Sequence, residues 1–271
     1  MSIFVASSGA HISYRDQGQG DALLFLHGWC MSARVWQHQE VLVADGMRLI
    51  MPDLPGHGDS SIAASGFSIK AVAGDIASLL DSVGCSRVHL VGWSLGAFVA
   101  FELYRQRPDV VAGLVLVSAT PRFQRADDFP HGLSSQEVAG MALKVRRNVE
   151  RAVIGFQTLL LAPDEAGSEL SVPLLASQKL PTQDTVLQAL EELARADERK
   201  FLEHIRCPVQ IIHGNRDRIC LPSAAVFLKD MIPAAKVSIF DGCGHIPFVT
   251  QYKTFNTVVR NFIRRSGGTE D

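Results

Sequence analysis

A short apolar stretch that leads directly into a Gly-x-Ser-x-Gly motif constrains the fold of this chain most. Residues 88–91 predict a buried strand, and the apolar spacing from Leu95 onward predicts a helix. A strand that turns at once into a helix forces the turn residue, Ser94, into strained geometry and exposes its side chain. Gly92 and Gly96 lack a Cβ, so the two elements can approach closely there. Because the helix N-terminus favours developing negative charge, the motif predicts that Ser94 is a nucleophile.

Length and composition limit the class of protein. A chain of 271 residues, 47% of them apolar, suits one large α/β domain or a core with an inserted cap. The net charge of −2 provides no general attraction to nucleic acid or to an anionic membrane. The five cysteines are widely spaced without a CxxC pair, and no apolar run is long enough to cross a bilayer. With no signal peptide at the start, we expect a soluble, cytoplasmic monomer that needs no metal or cofactor.

Short apolar strands alternate with amphipathic helices, which predicts an α/β fold with a mostly parallel, doubly wound sheet of about eight strands. The alternation stops after Ser118 and returns with a strand at 209–212. The stretch between is mostly helical and too long for a loop inside a compact domain. We therefore expect a core of residues 1–120 and 201–271 with an inserted helical cap at 121–200. The clearest predicted helices are 32–45, 68–83, 143–161, 185–202 and 250–265.

The base and the acid that Ser94 requires are found at the ends of later strands. A serine hydroxyl is a poor nucleophile at neutral pH, so it needs a base, and a third group must orient that base. Asp217 follows the strand at 209–212, and His245 follows the last predicted strand. Because parallel strands end at one edge of the sheet, we expect both side chains beside Ser94. The sequence therefore predicts a Ser94–His245–Asp217 triad.

A serine nucleophile that attacks a carbonyl group needs two backbone N–H donors to stabilise the tetrahedral oxyanion. Leu95 directly follows Ser94, and Trp29 lies in the loop after the apolar strand at 22–26. We expect these two residues to supply the N–H groups and, together with Trp93, to border the substrate. Structural roles are expected for the other polar residues at strand ends: His27 and His57 orient loops, Asp53 holds the loop at 52–60, and His213 is at most part of the pocket wall.

These segments together resemble the α/β-hydrolase superfamily over nearly the whole chain. The resemblance rests on His27-Gly28-Trp29, the segment Asp53 to Gly58, the serine motif, Asp217 and Gly244-His245. A narrower resemblance is to the carboxylesterases that remove the methyl group from pimeloyl carried on acyl carrier protein in biotin synthesis, and it adds Trp36, the cap segment 147–151 and the segment 245–248. It implies an acyl-enzyme formed on Ser94. The chain departs from these esterases at Ala97, where glycine is usual, and in the later cap, where Glu165 and Glu169 replace expected basic residues.

The cap is expected to contact both the acyl chain and its carrier. An apolar wall is predicted from Phe123, Phe129, Leu143 and Phe156, although the same residues could simply pack the cap on the core. Arg147 and Arg151 are four positions apart, so on one helix they would share a face. Acyl carrier proteins are acidic, so this face could dock one; the alternative is an ordinary solvated face.

Other activities remain open at this point. The same triad would serve a general short-chain esterase or a hydrolase of C–C bonds. Haloalkane dehalogenase and epoxide hydrolase chemistry is disfavoured, because those enzymes have aspartate at the position of Ser94. A ligand-binding receptor that retains the fold without turnover belongs to a different class of function. Hydrolysis of a chromogenic ester would separate it from the enzymes.

Overall fold

One eight-stranded sheet organises the computed structural model, which describes residues 1–233 and 235–266. The spatial order is β1-β2-β4-β3-β5-β6-β7-β8. β2 pairs antiparallel with both β1 and β4, and every other pairing is parallel. The bounds are β1 Ser2–Val5, β2 His11–Gln17, β3 Asp21–Leu26, β4 Met47–Pro52, β5 Val88–Trp93, β6 Val111–Val117, β7 Val209–Gly214 and β8 Ala235–Phe240.

The central strands are buried on both faces, as a parallel sheet covered by helices requires. All six residues of β5 and all six of β7 are buried. The helices that flank the sheet are α1 Ile69–Ser82, α2 Leu95–Gln106, α7 Pro222–Met231, α8 Pro247–Thr250 and α9 Tyr252–Ser266. None of the helices in the described part of the chain is long and apolar enough to span a membrane. Residues 267–271 of the expected core lie outside the described residues.

The helix predicted at 32–45 is present, but it is a 3-10 helix and not an α-helix. It spans Ala33–Asp45, capped by Ser32 before it and by Gly46, with a φ of 82°, after it. Trp36 anchors it by packing against the ring of Phe248 at 4.3 Å. Apolar spacing alone does not distinguish this tighter helix from an α-helix, so tertiary contacts decide its form.

Between β6 and β7 the chain forms four α-helices: α3 Ser135–Arg147, α4 Val149–Leu159, α5 Ser171–Ala176 and α6 Gln183–Arg195. We keep the name cap for residues 121–200, as a proposed unit. The continuous helix predicted at 143–161 is wrong, because Asn148 adopts extended backbone angles and separates α3 from α4. Its side chain accepts a hydrogen bond from the N–H of Arg151 and thereby starts the second helix.

Candidate active site

Ser94 occupies the sharp turn between β5 and α2 that the sequence motif predicts. Its φ of 54° lies in the left-handed region, which a residue with a side chain rarely adopts. A Cβ at Gly92 would lie 2.6 Å from the carbonyl oxygen of Gly96, and one at Gly96 would lie 2.1 Å from that of Leu26. Both glycines are therefore required for the close packing of strand and helix. Strain held in this way is typical of functional sites.

Asp217 and His245 meet at the same edge of the sheet. Nδ1 of His245 donates a hydrogen bond to Oδ2 of Asp217 at 2.7 Å, and both side chains are fully buried. The indole N–H of Trp93, the residue before Ser94, donates to the carbonyl of His245 at 2.9 Å and brings the histidine loop against the serine turn. Nε2 of His245 is buried and has no hydrogen-bond partner within the described residues. That nitrogen is therefore free to accept a proton.

The Asp217 carboxylate is held from two sides. Oδ1 accepts the backbone N–H groups of Ile219 at 2.8 Å and Cys220 at 3.1 Å. Oδ2 faces His245 and also Nε2 of His213, which lies 3.3 Å away. Burial alone would raise the pKa of Asp217, but the two histidines and their hydrogen bonds outweigh it and hold the pKa well below its usual range. The acid of the predicted triad is therefore ionised at neutral pH.

The cap contacts the histidine loop directly. The backbone N–H of His245 donates to the carbonyl of Leu160 at 2.7 Å. Oε2 of Glu165 accepts the N–H groups of Gly244 at 2.9 Å and Ala162 at 2.8 Å. Sequence reasoning noted Glu165 only for its charge. The spacing from Ala162 to Glu165 is that of a capping box and could have indicated the local bond, but no signal indicates the bond to Gly244.

The two expected oxyanion donors lie at the start of α2 and in the loop after β3. Leu95 is the first residue of α2, where backbone N–H groups have no acceptor within the helix. His27 fixes the other loop: its Nε2 accepts the N–H of Leu54, so its Nδ1 donates to the carbonyl of Gly28, both at 2.9 Å. Burial lowers the pKa of His27 to about 4, so the ring is neutral. The indole N–H of Trp29 donates to the carbonyl of Val186 in the cap at 3.0 Å.

Two other polar residues have the structural roles expected from the sequence. The Asp53 carboxylate accepts the N–H groups of Ala33 at 2.7 Å and Asp59 at 2.8 Å, which holds the loop at 52–60. His57, within the same loop, is fully buried, and burial lowers its pKa to about 3. Neither side chain is therefore placed to act as the base for Ser94.

The four residues expected to form the acyl wall differ in their burial and contacts. Phe156 packs edge-on against the ring of Trp29, with centroids 4.9 Å apart. Phe129 is fully buried and packs against Phe227 of α7. Phe123 belongs to the main buried core. Leu143 lies on the outer face of α3, where 58% of its surface is exposed. Phe123 and Phe156 share one buried core cluster, and Phe156 directly contacts Trp29, an expected oxyanion donor.

Arg147 and Arg151 of the cap lie together, but on two helices and not on one shared helix face as predicted. Arg147 ends α3 and Arg151 lies in the first turn of α4, so the expectation of one shared helix face is wrong. Asn148 breaks the helix between them. Both arginines nevertheless line one open cleft of about 520 Å³, together with Lys144 and Asn148. All three basic side chains are exposed.

Known proteins that resemble this chain also have the α/β-hydrolase fold. A family model described as the alpha/beta hydrolase fold matches residues 21–252. The chain therefore belongs to this family, and the predicted fold class is confirmed.

Two relatives from Nitrosomonas europaea and Aromatoleum aromaticum, 34% and 32% identical, are each named pimeloyl-acyl-carrier-protein methyl ester esterase. Each match covers 89% of this chain, with 95% and 98% of the respective relative. The crystal structure of an esterase from a Rhodococcus species is 31% identical, with a TM-score of 0.81 over 97% of this chain and 99% of that one. The narrower resemblance seen in the sequence is thereby confirmed.

Proposed function

We propose that this chain is a serine carboxylesterase that hydrolyses the methyl ester of pimeloyl carried on acyl carrier protein, a reaction of biotin synthesis. The observation that carries the proposal is the buried Asp217–His245 hydrogen bond of 2.7 Å beside the strained turn of Ser94. That arrangement supplies a nucleophile, a base and an orienting acid. The substrate follows from the names of the relatives, which share about a third of their residues with this chain.

In the first half of the reaction, Nε2 of His245 takes the proton from the Ser94 hydroxyl as Oγ attacks the ester carbonyl carbon. The negative charge moves to the carbonyl oxygen, where the N–H groups of Leu95 and Trp29 stabilise it. The carbon–oxygen bond to the methoxy group then breaks. His245 returns the proton to that oxygen, so methanol leaves and the pimeloyl group remains as an ester of Ser94.

In the second half, His245 removes a proton from a water molecule that attacks the acyl-enzyme. The bond to Oγ of Ser94 breaks, His245 returns the proton to the serine, and the product is a free carboxylate. Asp217 accepts the Nδ1–H bond throughout, which keeps Nε2 available as the base and stabilises the imidazolium that forms. A group that remains ionised at neutral pH suits this role.

The exposed basic cleft of Lys144, Arg147 and Arg151 is the proposed docking site for the carrier protein. Its positive charge complements an acidic partner and would raise the rate of encounter. Phe156, which contacts Trp29, is the proposed apolar contact for the acyl chain. We also propose that the enzyme acts as a monomer. A cytoplasmic location is supported by its five cysteines, which are free thiols, as is usual in a reducing compartment.

Mass spectrometry of the carrier-bound product tests the proposal. The wild-type protein should convert methyl pimeloyl-carrier protein to the free acid with loss of one methyl group, and Ser94→Ala should not. A free p-nitrophenyl ester is measured in parallel. Hydrolysis of the free ester without turnover of the carrier-bound ester would refute the substrate but keep the esterase. Failure of the wild type on both esters would refute the enzyme.

A further inference from the structure

A second buried histidine contacts the acid of the triad. His213, near the end of β7, is fully buried, and its Nε2 lies 2.7 Å from the carbonyl oxygen of Cys220 and 3.3 Å from Oδ2 of Asp217. A carbonyl oxygen can only accept a hydrogen bond, so Nε2 carries a proton. That N–H donates to the carbonyl of Cys220, and Oδ2 of Asp217 lies 3.3 Å from the same nitrogen, so the protonated edge of the ring faces the carboxylate.

The opposite ring nitrogen of His213 identifies a second partner. Its Nδ1 is buried without a hydrogen-bond partner in the described part of the chain, and so is the hydroxyl of Ser118. Ser118 follows Val117, and Val117 pairs with Ile212, the residue before His213. The N–H of Ser118 donates to the carbonyl of Ile212 at 2.8 Å, so Ser118 and His213 are neighbours on adjacent strand ends at the edge that carries the triad. A hydrogen bond between them through water would avoid the free-energy cost of leaving two buried polar groups unpaired.

We propose that His213 is a positioning residue for the triad: its Nε2–H, 3.3 Å from Oδ2, keeps the Asp217 carboxylate in line with His245, and the Ser118 hydroxyl, through one water, fixes this tautomer of His213 at Nδ1. The proposal rests on the proposed function, because the position of Asp217 matters for turnover only if His245 is the base. His213 touches neither substrate nor Ser94 in this role and acts through Asp217.

The charges around Asp217 determine the effect of removing His213. The groups that face the carboxylate are His245, His213 and the thiols of Cys220 and Cys243, and burial raises the pKa of both thiols, so they are neutral. Glu165 lies beyond Cys243 and is bound to the backbone of Gly244. Without His213, the full negative charge of Asp217 therefore acts on His245. The imidazolium is stabilised, so the limb of the pH–rate profile that requires a neutral base moves to higher pH.

Three variants test the role with a p-nitrophenyl ester as substrate. His213→Phe removes the donor and should lower kcat about 10- to 100-fold, the effect of losing one hydrogen bond to a charged group. KM should change little, and the acidic limb of the pH–rate profile should move to higher pH. His213→Gln keeps an N–H near the same place and should recover most of the loss. His89→Phe removes another buried histidine near the opposite end of the sheet, on β5, and should leave the limb in place.

Nitrogen NMR of the native protein tests the tautomer without any variant. The expected result is a neutral His213 with its proton on Nε2, and Ser118→Ala should reduce the population of that form and lower kcat about fivefold. A proton on Nδ1 of His213 in the native protein would overturn the proposal. So would equal shifts of the limb in His213→Phe and His89→Phe. If the wild type hydrolyses no ester, the proposed function fails, and the tautomer is still measured independently.

Discussion

The bond between Glu165 and the histidine loop leads to the most specific prediction. One carboxylate oxygen accepts both the N–H of Gly244, next to His245, and the N–H of Ala162 in the cap. Both N–H groups belong to buried residues. Glu165→Ala therefore removes one acceptor from two buried donors, and the loop that carries the base loses a direct attachment to the cap.

The magnitude follows from these contacts. An unsatisfied buried N–H costs about 1–3 kcal/mol, but Glu165 is half-exposed, so water replaces part of each bond. We expect Glu165→Ala to lower the free energy of unfolding by about 2 kcal/mol and the Tm by about 5 °C. Displacement of His245 by a fraction of an ångström should also lower kcat about tenfold. Glu165→Gln keeps an oxygen acceptor and should lose less than about 1 kcal/mol.

Thermal unfolding and turnover of a free p-nitrophenyl ester measure both effects. Glu169→Ala is the matched control, because Glu169 belongs to the same acidic part of the cap and is exposed. It should change neither the Tm nor kcat. If Glu165→Ala lowered the Tm but left kcat unchanged, the loop would not depend on this carboxylate for its position. Equal effects of Glu165→Ala and Glu169→Ala would show that only the net charge of the cap matters.

Three further predictions concern the triad, the docking cleft and acid stability. Asp217→Asn should fold normally but lose roughly 10⁴-fold in kcat, because the amide favours the wrong imidazole tautomer; full activity by ester assay would require another acid. Replacing Arg147 and Arg151 with Glu should lower kcat/KM for the carrier-bound ester at least about tenfold, most at low salt, and spare a free ester; equal loss on both substrates would make the arginines structural. Burial lowers the pKa of His27 to about 4 and of His57 to about 3. Because the unfolded chain binds these protons near pH 6.5, stability should fall from about pH 6.5 toward 4, by roughly 1 kcal/mol per pH unit for each histidine. A constant Tm over that range would contradict this.

The parts of the site that local sequence determines could be predicted. A Gly-x-Ser-x-Gly motif between an apolar strand and a helix allows few geometries, because Gly96 leaves no room for a Cβ beside Leu26. The edge that carries Asp217 and His245 follows from the rule that parallel strands end on one side. The loop role of His27 could also be predicted, since it directly follows β3.

The parts that depend on contacts distant in sequence could not be predicted. Glu165 binds Gly244 across 79 positions, and no local pattern encodes that distance. His213 precedes Asp217 by four residues, yet only the observed loop places its ring against the carboxylate. Asn148 was predicted inside a helix because the apolar spacing continues past it, while its side chain instead starts a new one. The break changes the reason why Arg147 and Arg151 are neighbours, although it keeps them together.

The backbone of His245 links the cap to the chemistry in a way that separates two kinds of cap variant. Its N–H is bound by Leu160 of the cap, and its carbonyl is bound by Trp93 of the core. The backbone of the base is thus held by one hydrogen bond to the cap and one to the core. Changes at residues 160–165 should therefore impair every ester, including small free ones that never touch the cap surface. Changes at the basic cleft leave this support intact, so they should impair only an ester delivered by a carrier. The pattern of loss across the two substrates then reports which function of the cap a given residue serves.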